Sequence, residues 1–319
     1  MSEIVESIEG YGLKINNSDQ QKSSNIFAKV GVVGCGILGQ EITRLAAQNG
    51  LEVVFIEISE ARIKEAFEAF EMVFDSEIDR WGMTESEKKS ILSKIKGTTD
   101  YQELAGCDIV IESIKSKSRE DSIEIRKRIF KNIEEFVSED TIIATNSTTL
   151  VITELSNELD HPERCLSLHF LSPATEANVV EVVRSLYTVD SAYEKVEAFA
   201  RLLNKKVIPV QESPGVISTR LIAPIINEAC SILMEGVGKV EDIDSTMKLG
   251  FGFPLGPFEM ADKYGLDTVV RWLENLYKEF GNTRYKASPL LKRMVRANRL
   301  GRETGQGFYT YDKDGYKIK

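Results

Sequence analysis

Short apolar segments alternate with longer amphipathic segments over the first two-thirds of the chain. The short segments are rich in β-branched residues and predict strands, whereas the longer ones repeat apolar residues at helical spacing. After a first strand that enters Gly34, the predicted strands cover residues 51–57, 108–112, 141–145, 164–169, 179–183 and 206–210. The predicted helices cover residues 37–49, 59–80, 119–137 and 192–203. This alternation is typical of an α/β fold with a doubly wound parallel sheet covered on both faces.

Two further features set the organisation of the chain. Thr84 begins another helix, with Glu87 at the capping-box position, and this helix and the one over residues 59–80 are expected to form a projecting hairpin. Beyond Pro214-Gly215 the pattern is helical, over residues 216–235, 240–248, 268–280 and 290–297. We therefore expect a sheet domain of residues 26–212 and an all-helical domain of residues 213–319. The polar residues 1–25 are expected to form a partly ordered leader.

The composition excludes several classes of function. A formal net charge of −10 disfavours nucleic-acid binding. The 4 cysteines are widely spaced without a CxxC pair, which argues against a zinc site and a disulfide framework and fits a reducing cytosol. The N-terminus is too polar for a secretory signal, and no apolar run approaches the ~20 residues that span a bilayer. We expect a cytoplasmic protein that binds no metal, nucleic acid or membrane.

A glycine motif gives the first candidate site. Gly34, Gly36 and Gly39 form GxGxxG between a predicted strand and a helix, and the next strand ends at Glu57. This βαβ unit is typical of a dinucleotide site, with the pyrophosphate at the N–H groups of Ile37 and Leu38 and of the neighbouring glycines. Glu57 would accept hydrogen bonds from the adenosine ribose and repel a 2′-phosphate, so NAD is favoured over NADP. The alternative is a glycine-rich turn that binds nothing.

The chain has 2 histidines, and they differ in context. His161 lies in the polar turn Asp160-His161-Pro162-Glu163, which is typical of a surface loop. His169 ends a predicted strand, and ligands of open α/β sheets bind beyond the carboxyl ends of strands. We therefore expect His169 to face the nicotinamide.

Glu181 is a carboxylate among β-branched residues, in the segment Val179-Val180-Glu181-Val182-Val183. A charge in that setting is unfavourable unless it is paired, and the expected partner is the imidazole of His169 on the neighbouring strand. Such a pair makes a general base that removes a hydroxyl proton while hydride leaves the same carbon. The alternative is an edge-strand glutamate that faces water.

These residues resemble the 3-hydroxyacyl-CoA dehydrogenase family, which includes the bacterial 3-hydroxybutyryl-CoA dehydrogenases, from about Ala28 to Tyr311. The motifs that carry the resemblance are the glycine turn at 34–39, His-Phe-Leu-Ser-Pro at 169–173, Val-Glu-Val-Val at 180–183, Pro-Gly-Val-Ile at 214–217 and the C-terminal segments 242–250, 254–259 and 301–309. The resemblance implies a Rossmann-type domain, a helical domain that forms most of a homodimer interface, NAD as cofactor, and reversible oxidation of a 3-hydroxyacyl thioester to the 3-oxoacyl form.

The resemblance also implies roles for single residues. It places the catalytic groups at His169, Glu181 and Thr148. It places further NAD contacts at Glu112, Lys117 and Asn146, and substrate contacts at Ser172, Thr219 and Arg80.

The chain departs from the family at several of these positions. Thr148 replaces a serine, and Ser172 and Thr219 each replace an asparagine. A hydroxyl still donates to a substrate oxygen but lacks the second polar arm of an amide, so we expect a reshaped pocket rather than an inactive one. Where the family places a serine and a lysine against the CoA nucleotide, this chain has Val73 and Arg80 on an acidic face.

The carrier of the acyl group therefore stays open at this stage. CoA is one carrier, and an acyl carrier protein is the other, as in relatives from polyketide pathways that oxidise tethered hydroxyacyl or aminoacyl groups. A carrier protein is acidic and needs a basic dock, for which the candidates are Lys88, Lys89, Lys94 and Lys96, or Lys115, Lys117 and Arg119. The alternative for these residues is a solvated helix face.

Two other classes of function stay open as well. One is a non-catalytic NAD-binding homologue, because folds persist when chemistry is lost. The other is a dehydrogenase of a free hydroxy acid on the same scaffold.

Overall fold

The structure is a computed structural model that describes residues 27–115, 119–312 and 315–318. Within these residues, eight strands form one sheet with the order β3-β2-β1-β4-β5-β6-β7-β8. The strands are β1 (Lys29–Val33), β2 (Glu52–Ile56), β3 (Ile95–Thr98), β4 (Ile109–Glu112), β5 (Ile142–Thr145), β6 (Cys165–Phe170), β7 (Val179–Arg184) and β8 (Lys206–Val210). Strands β1 to β6 pair in parallel, as the alternating pattern predicts.

The helices of the sheet domain cover its two faces. They are α1 (Ile37–Gln48), α2 (Glu60–Asp79), α3 (Glu85–Leu92), α4 (Arg119–Phe136), α5 (Ile152–Ser156) and α6 (Asp190–Leu202). Two separate clusters of buried apolar residues form, one on each face, around Val32 and Val33, which are neighbours on β1 and point in opposite directions. The doubly wound arrangement is therefore confirmed.

The prediction of a parallel sheet is wrong at β7. This strand is antiparallel to β6, and β8 is parallel to β7. Only residues 171–178 connect β6 to β7, whereas a parallel crossover needs a dozen or more residues and usually a helix. The short connection places His169 directly opposite Glu181 in the antiparallel ladder.

The predicted helical hairpin consists of α2 and α3. Thr84 caps α3 in a capping box with Glu87, and Lys88 of α3 forms an ion pair with Asp75 of α2. Phe70 and Phe74 of α2 are fully buried in the core. The connection between the helices reaches solvent, where the side chain of Trp81 is 97% exposed.

The helical domain begins after β8. Its helices are α7 (Ser218–Met234), α8 (Val240–Ser245), α9 (Pro257–Tyr264), α10 (Leu266–Phe280) and α11 (Pro289–Arg296), with a π-helical turn at Thr246–Gly250. Buried acids hold this domain together, since Asp262 of α9 accepts hydrogen bonds from the backbone N–H groups of Phe308 and Tyr309. No helix in the described part of the chain combines the length and apolar character that a membrane crossing requires.

The two domains are in direct contact near the carboxyl end of β5. The backbone N–H of Gly215 donates to the carbonyl oxygen of Thr148 at 2.6 Å. The side-chain amide of Asn275 on α10 donates to Oγ1 of Thr149 at 2.8 Å, and both residues are buried. The turn after β5 is therefore fixed between the sheet and the helical domain.

Candidate active site

The glycine turn between β1 and α1 gives its three glycines three different environments. Gly34 has φ = +92°, which favours glycine. A Cβ on Gly39 would lie 2.0 Å from the carbonyl oxygen of Gly34, so only glycine permits this close approach. A Cβ on Gly36 would meet no protein atom within 4 Å, so the backbone at Gly36 faces open space.

This turn has the features of an anion site. Gly36 precedes α1 without a side-chain cap, so the first N–H groups of the helix, including those of Ile37 and Leu38, lack intrahelical partners. β1 lies between β2 and β4, where the order of the strands reverses, and α/β proteins bind nucleotides at such a point. The residues present therefore fit the pyrophosphate of a dinucleotide.

Glu57 lies beside the same turn. Its Oε1 accepts a hydrogen bond from the N–H of Cys35 at 2.7 Å, and its Oε2 accepts one from the N–H of Ile58 at 3.1 Å. The carboxylate follows β2 and is half-buried. This is the position from which an acid reaches the hydroxyls of an adenosine ribose.

His169 and Glu181 lie on β6 and β7, across the centre of the sheet from the glycine turn. Nε2 of His169 is 3.8 Å from Oε2 of Glu181, which is an electrostatic contact rather than a hydrogen bond. Both side chains are buried. The alternative of a solvent-facing Glu181 is therefore wrong.

The start of α7 holds the carboxylate of Glu181. Oε1 accepts hydrogen bonds from the N–H groups of Ile217 (3.1 Å) and Ser218 (3.0 Å), and Oε2 accepts one from Oγ of Ser218 (2.6 Å). The positive end of a helix and three donors stabilise a buried carboxylate. Sequence reasoning missed Ser218, which lies inside the helix predicted for residues 216–235 and carries no local signal for a contact with β7.

The second ring nitrogen of His169 is enclosed by the protein. Nδ1 is buried and has no hydrogen-bond partner among the described residues. Burial lowers the pKa of His169 below its ordinary value, and the charge of Glu181 opposes this shift. A buried nitrogen without a partner is unfavourable by about 1–3 kcal/mol, so the imidazole of His169 lies in an unusual environment for a structural residue.

The turn after β5 contributes the neighbouring polar groups. Oδ1 of Asn146 accepts a hydrogen bond from the N–H of Phe170 at 2.9 Å and so joins this turn to the end of β6, next to His169. Thr148 is half-buried in the same turn. Thr219 is buried in the first turn of α7, directly after Ser218. Predicted residues from β6, β7, the β5 turn and α7 therefore converge.

The role expected for Glu112 needs correction. Its side chain is fully buried, and its carboxylate accepts hydrogen bonds from Nε of Arg126 (2.9 Å), Oγ1 of Thr145 (2.6 Å) and the N–H of Ile114 (2.7 Å). A carboxylate with these partners and no exposure cannot reach a cofactor. Glu112 instead fixes the turn after β4, and Lys117 lies outside the described residues.

Two predicted substrate residues are already engaged. Oγ of Ser172 donates to Oε1 of Glu41 on α1 at 3.0 Å. Arg80 is exposed at the end of α2, where its guanidinium contacts the hydroxyl of Tyr316. Within the described residues, no hydrogen bond or ion pair links Arg80 to the catalytic pair.

Comparison with known families decides what this arrangement belongs to. The family model for the NAD-binding domain of 3-hydroxyacyl-CoA dehydrogenase matches residues 29–213, and the model for the C-terminal domain of the same enzymes matches residues 215–311. The chain belongs to the 3-hydroxyacyl-CoA dehydrogenase family.

Curated relatives and solved structures agree with this assignment. The 3-hydroxybutyryl-CoA dehydrogenase of Clostridioides difficile is 37% identical over 285 residues, which are 89% of this chain and 100% of the relative. The crystal structure of (S)-3-hydroxybutyryl-CoA dehydrogenase PaaH1 from Ralstonia eutropha has a TM-score of 0.80 at 38% identity and covers 90% of this chain and 100% of its own. That of FadB2 from Mycobacterium tuberculosis has a TM-score of 0.85 at 31% identity and covers 90% and 99%.

The assignment makes this 3-hydroxyacyl-CoA dehydrogenase family member an NAD-dependent oxidoreductase. The predicted cofactor, NAD, and the predicted combination of a Rossmann-like domain with a helical domain are confirmed. The non-catalytic alternative is set aside.

Proposed function

We propose that the protein oxidises the 3-hydroxyl of a 3-hydroxyacyl thioester to the 3-oxo form with NAD, and that His169 is the general base. The observation that carries this proposal is the buried imidazole of His169 on β6, with the carboxylate of Glu181 3.8 Å from its Nε2. A general base must be unprotonated before it reacts, and burial favours this form because it keeps the pKa of His169 below its ordinary value.

The side chains divide the work as follows. The imidazole of His169 takes the proton of the substrate hydroxyl as the carbon–oxygen double bond forms. The carboxylate of Glu181, fixed by Ile217 and Ser218, stabilises the positive charge that develops on the imidazole. The hydroxyl of Thr148 donates to the substrate oxygen. Bound NAD supplies the acceptor for the hydride that leaves the same carbon.

The glycine turn and Glu57 hold the cofactor in this proposal. The N–H groups of Ile37 and Leu38 bind the pyrophosphate, and Gly36 gives it access to the backbone. Glu57 exchanges its contact with Cys35 for the ribose hydroxyls. Asn146 holds the turn after β5 against the end of β6 through the N–H of Phe170, and the nicotinamide would bind beside this turn.

CoA is the carrier that the relatives favour, since those named above include 3-hydroxybutyryl-CoA dehydrogenases. An acyl carrier protein is a second candidate, because the exposed face of α2 is acidic where a CoA nucleotide would need positive charge. That face carries Glu65, Glu68, Glu71 and Asp75, of which Glu65, Glu68 and Asp75 form ion pairs with Arg62, Lys64 and Lys88. A phosphopantetheine arm without a nucleotide avoids this repulsion.

The basic dock predicted for a carrier protein is weakened by ion pairs. Lys88 pairs with Asp75, Lys96 with Glu103, and Lys115 with both Asp267 and Glu303. Each pair removes net positive charge from the surface that an acidic partner would bind. We therefore place CoA first.

We also propose a homodimer in the cytoplasm. Apolar side chains are exposed on the helical domain, with Leu249 87% and Phe251 71% exposed, and Leu221 and Val237 are exposed as well; exposed apolar surface is typical of interfaces. The four cysteines are all free and buried, which fits a reducing compartment.

Steady-state kinetics tests the function. NADH formation is followed with 3-hydroxybutyryl-CoA, with the same acyl group on a carrier protein, and with free 3-hydroxybutyrate. We expect the highest kcat/KM with the CoA thioester. Higher efficiency on the carrier protein would reverse the order of the two carriers, and turnover of the free acid alone would contradict a thioester substrate.

A further inference from the structure

Glu41 is a buried carboxylate that the proposed mechanism does not use. It lies in the second turn of α1, five residues after Gly36, and Glu41 as a whole is 8% exposed. An acid in such a position needs specific partners, because burial of an unpaired charge is strongly unfavourable. Its partners therefore indicate what it does.

Both oxygens of Glu41 bind the loop that follows β6. Oε1 accepts the hydrogen bond from Oγ of Ser172 at 3.0 Å, and Oε2 accepts one from the N–H of Ala174 at 2.8 Å. The loop starts directly after the strand of His169. Glu41 thus ties the helix of the glycine turn to the loop next to the general base.

The charge of Glu41 determines the direction of the bond to Ser172. Burial raises the pKa of Glu41 above its ordinary value, and its two hydrogen bonds and the charges of Arg44 and Lys263 oppose this shift; the N–H of Ala174 and the hydroxyl of Ser172 both donate to its carboxylate oxygens. An ionised carboxylate only accepts, and a serine hydroxyl has a single proton. Once Ser172 donates that proton to Glu41, only its lone pairs remain for a ligand.

We propose that Glu41 is a positioning residue that makes the hydroxyl of Ser172 a hydrogen-bond acceptor toward the cleft, so that the bound ligand presents a donor to it. This rests on the proposed function, with the cleft taken as the space beside His169 where the ligand binds; Ser172 is half-buried in the loop that starts directly after the strand of His169. Two sources share that chemistry: the carboxamide N–H₂ of the nicotinamide, and a hydroxyl on the substrate carbon next to the thioester carbonyl.

Glu41→Gln inverts this arrangement without a change of size. The N–H of Ala174 can only donate, so it takes the amide oxygen of the glutamine. The amide N–H₂ then faces Ser172, which must accept, and the proton of Ser172 becomes free to point into the cleft. The substitution therefore turns the acceptor into a donor.

The test measures dissociation constants and has one arm for each source. The first arm compares NAD with its 3-acetylpyridine analogue, whose ketone accepts but cannot donate. The second compares 3-hydroxyacyl-CoA with and without a 2-hydroxyl. The quantity compared is the affinity for the donor ligand divided by the affinity for its non-donor counterpart. In one arm we expect this ratio to be roughly five-fold higher in the wild-type protein than in Ser172→Ala, which is the effect of one hydrogen bond. Glu41→Gln is expected to abolish or reverse that preference.

Matched controls separate this role from a general effect on folding or charge. Glu77→Gln removes another carboxylate that faces Arg44 and should retain the wild-type preference. If Glu41→Gln does not fold, as thermal unfolding would show, the comparison of wild type with Ser172→Ala decides. Equal ratios for wild type and Ser172→Ala in both arms, or a preference that Glu41→Gln leaves intact, would overturn the proposal. Turnover of 3-hydroxybutyryl-CoA by the wild type tests the proposed function separately.

Discussion

At the scale of single residues, two buried carboxylates act on the end of β6 from different sides. Glu181 faces the ring of His169 from the start of α7, and Glu41 binds the loop at Ser172 from α1. Each is held by donors in positions that no linear motif spans, since Glu181 and Ser218 are 37 residues apart and Glu41 and Ser172 are 131 apart. The proposed chemistry rests on these long-range contacts.

The pH profile reports on the first of these contacts. Oxidation requires neutral His169, so kcat/KM should fall only when the pH drops below the ordinary histidine range, because burial lowers the pKa of this group. Glu181→Gln removes a charge that raises this pKa, so the acidic limb should move to lower pH while the plateau rate falls.

The matched control is Glu163→Gln, which removes the carboxylate 3.3 Å from Nδ1 of His161 and should leave the profile unchanged. An acidic limb that stays in place or moves to higher pH in Glu181→Gln would contradict the assigned pair.

The sequence allowed prediction of His169 and Glu181 because each is chemically unusual for its segment. It did not allow prediction of Ser218 or Glu41, since a serine at a helix start and a glutamate on a helix are ordinary in isolation. Glu112 was misassigned for the opposite reason, because its position at a strand end suggests a ligand contact while its partner Arg126 comes from a helix 14 residues away.

At the scale of elements, the features that depend on neighbouring residues could be predicted from local sequence patterns. The glycine turn, the capping box of α3 and the strands β1, β2 and β4 to β8 follow from spacing and residue type. The strand β3 and the short helices α5 and α9 were missed, because four to eight residues carry too little periodicity. The antiparallel direction of β7 depends on the length of one loop.

Two alanine substitutions in the glycine turn should affect different properties, one the stability of the fold and the other the affinity for NAD. Gly39→Ala places a methyl group 2.0 Å from the carbonyl oxygen of Gly34, so the free energy of unfolding should fall by about 1–3 kcal/mol. Gly36→Ala meets no protein atom, so stability should stay within about 1 kcal/mol while NAD affinity drops at least about tenfold.

Denaturant unfolding and NAD titration measure both effects, and each variant is the control for the other. Tight NAD binding by Gly36→Ala would show that the open space at Gly36 does not receive the pyrophosphate.

At the scale of the whole molecule, the site is formed by both domains. The helical domain supplies the donors for Glu181 and fixes the turn of Thr148 through Gly215 and Asn275. The pair of His169 and Glu181 therefore receives its hydrogen-bond donors from the helical domain although both residues belong to the sheet domain. The division into two domains could be predicted from the change at Pro214-Gly215, whereas the contacts between them could not.

The proposed homodimer is tested by one exposed substitution. Leu249→Glu places a charge in the apolar surface of the helical domain and should convert the dimer to a monomer in sedimentation velocity experiments. Met72→Glu, at an exposed methionine on α2, should leave the mass unchanged. A wild-type protein that sediments as a monomer would contradict the proposal.

The most direct measurement for the central claim is single-turnover hydride transfer by His169→Ala, with His161→Ala as control. A missing general base should lower the rate by roughly 10²–10⁴-fold, with NAD affinity nearly unchanged because the glycine turn lies elsewhere. His161→Ala, altered in a surface turn, should react like the wild type. If His169→Ala retains the wild-type rate, the imidazole between Glu181 and the cleft is not the base, and the account of this site is wrong.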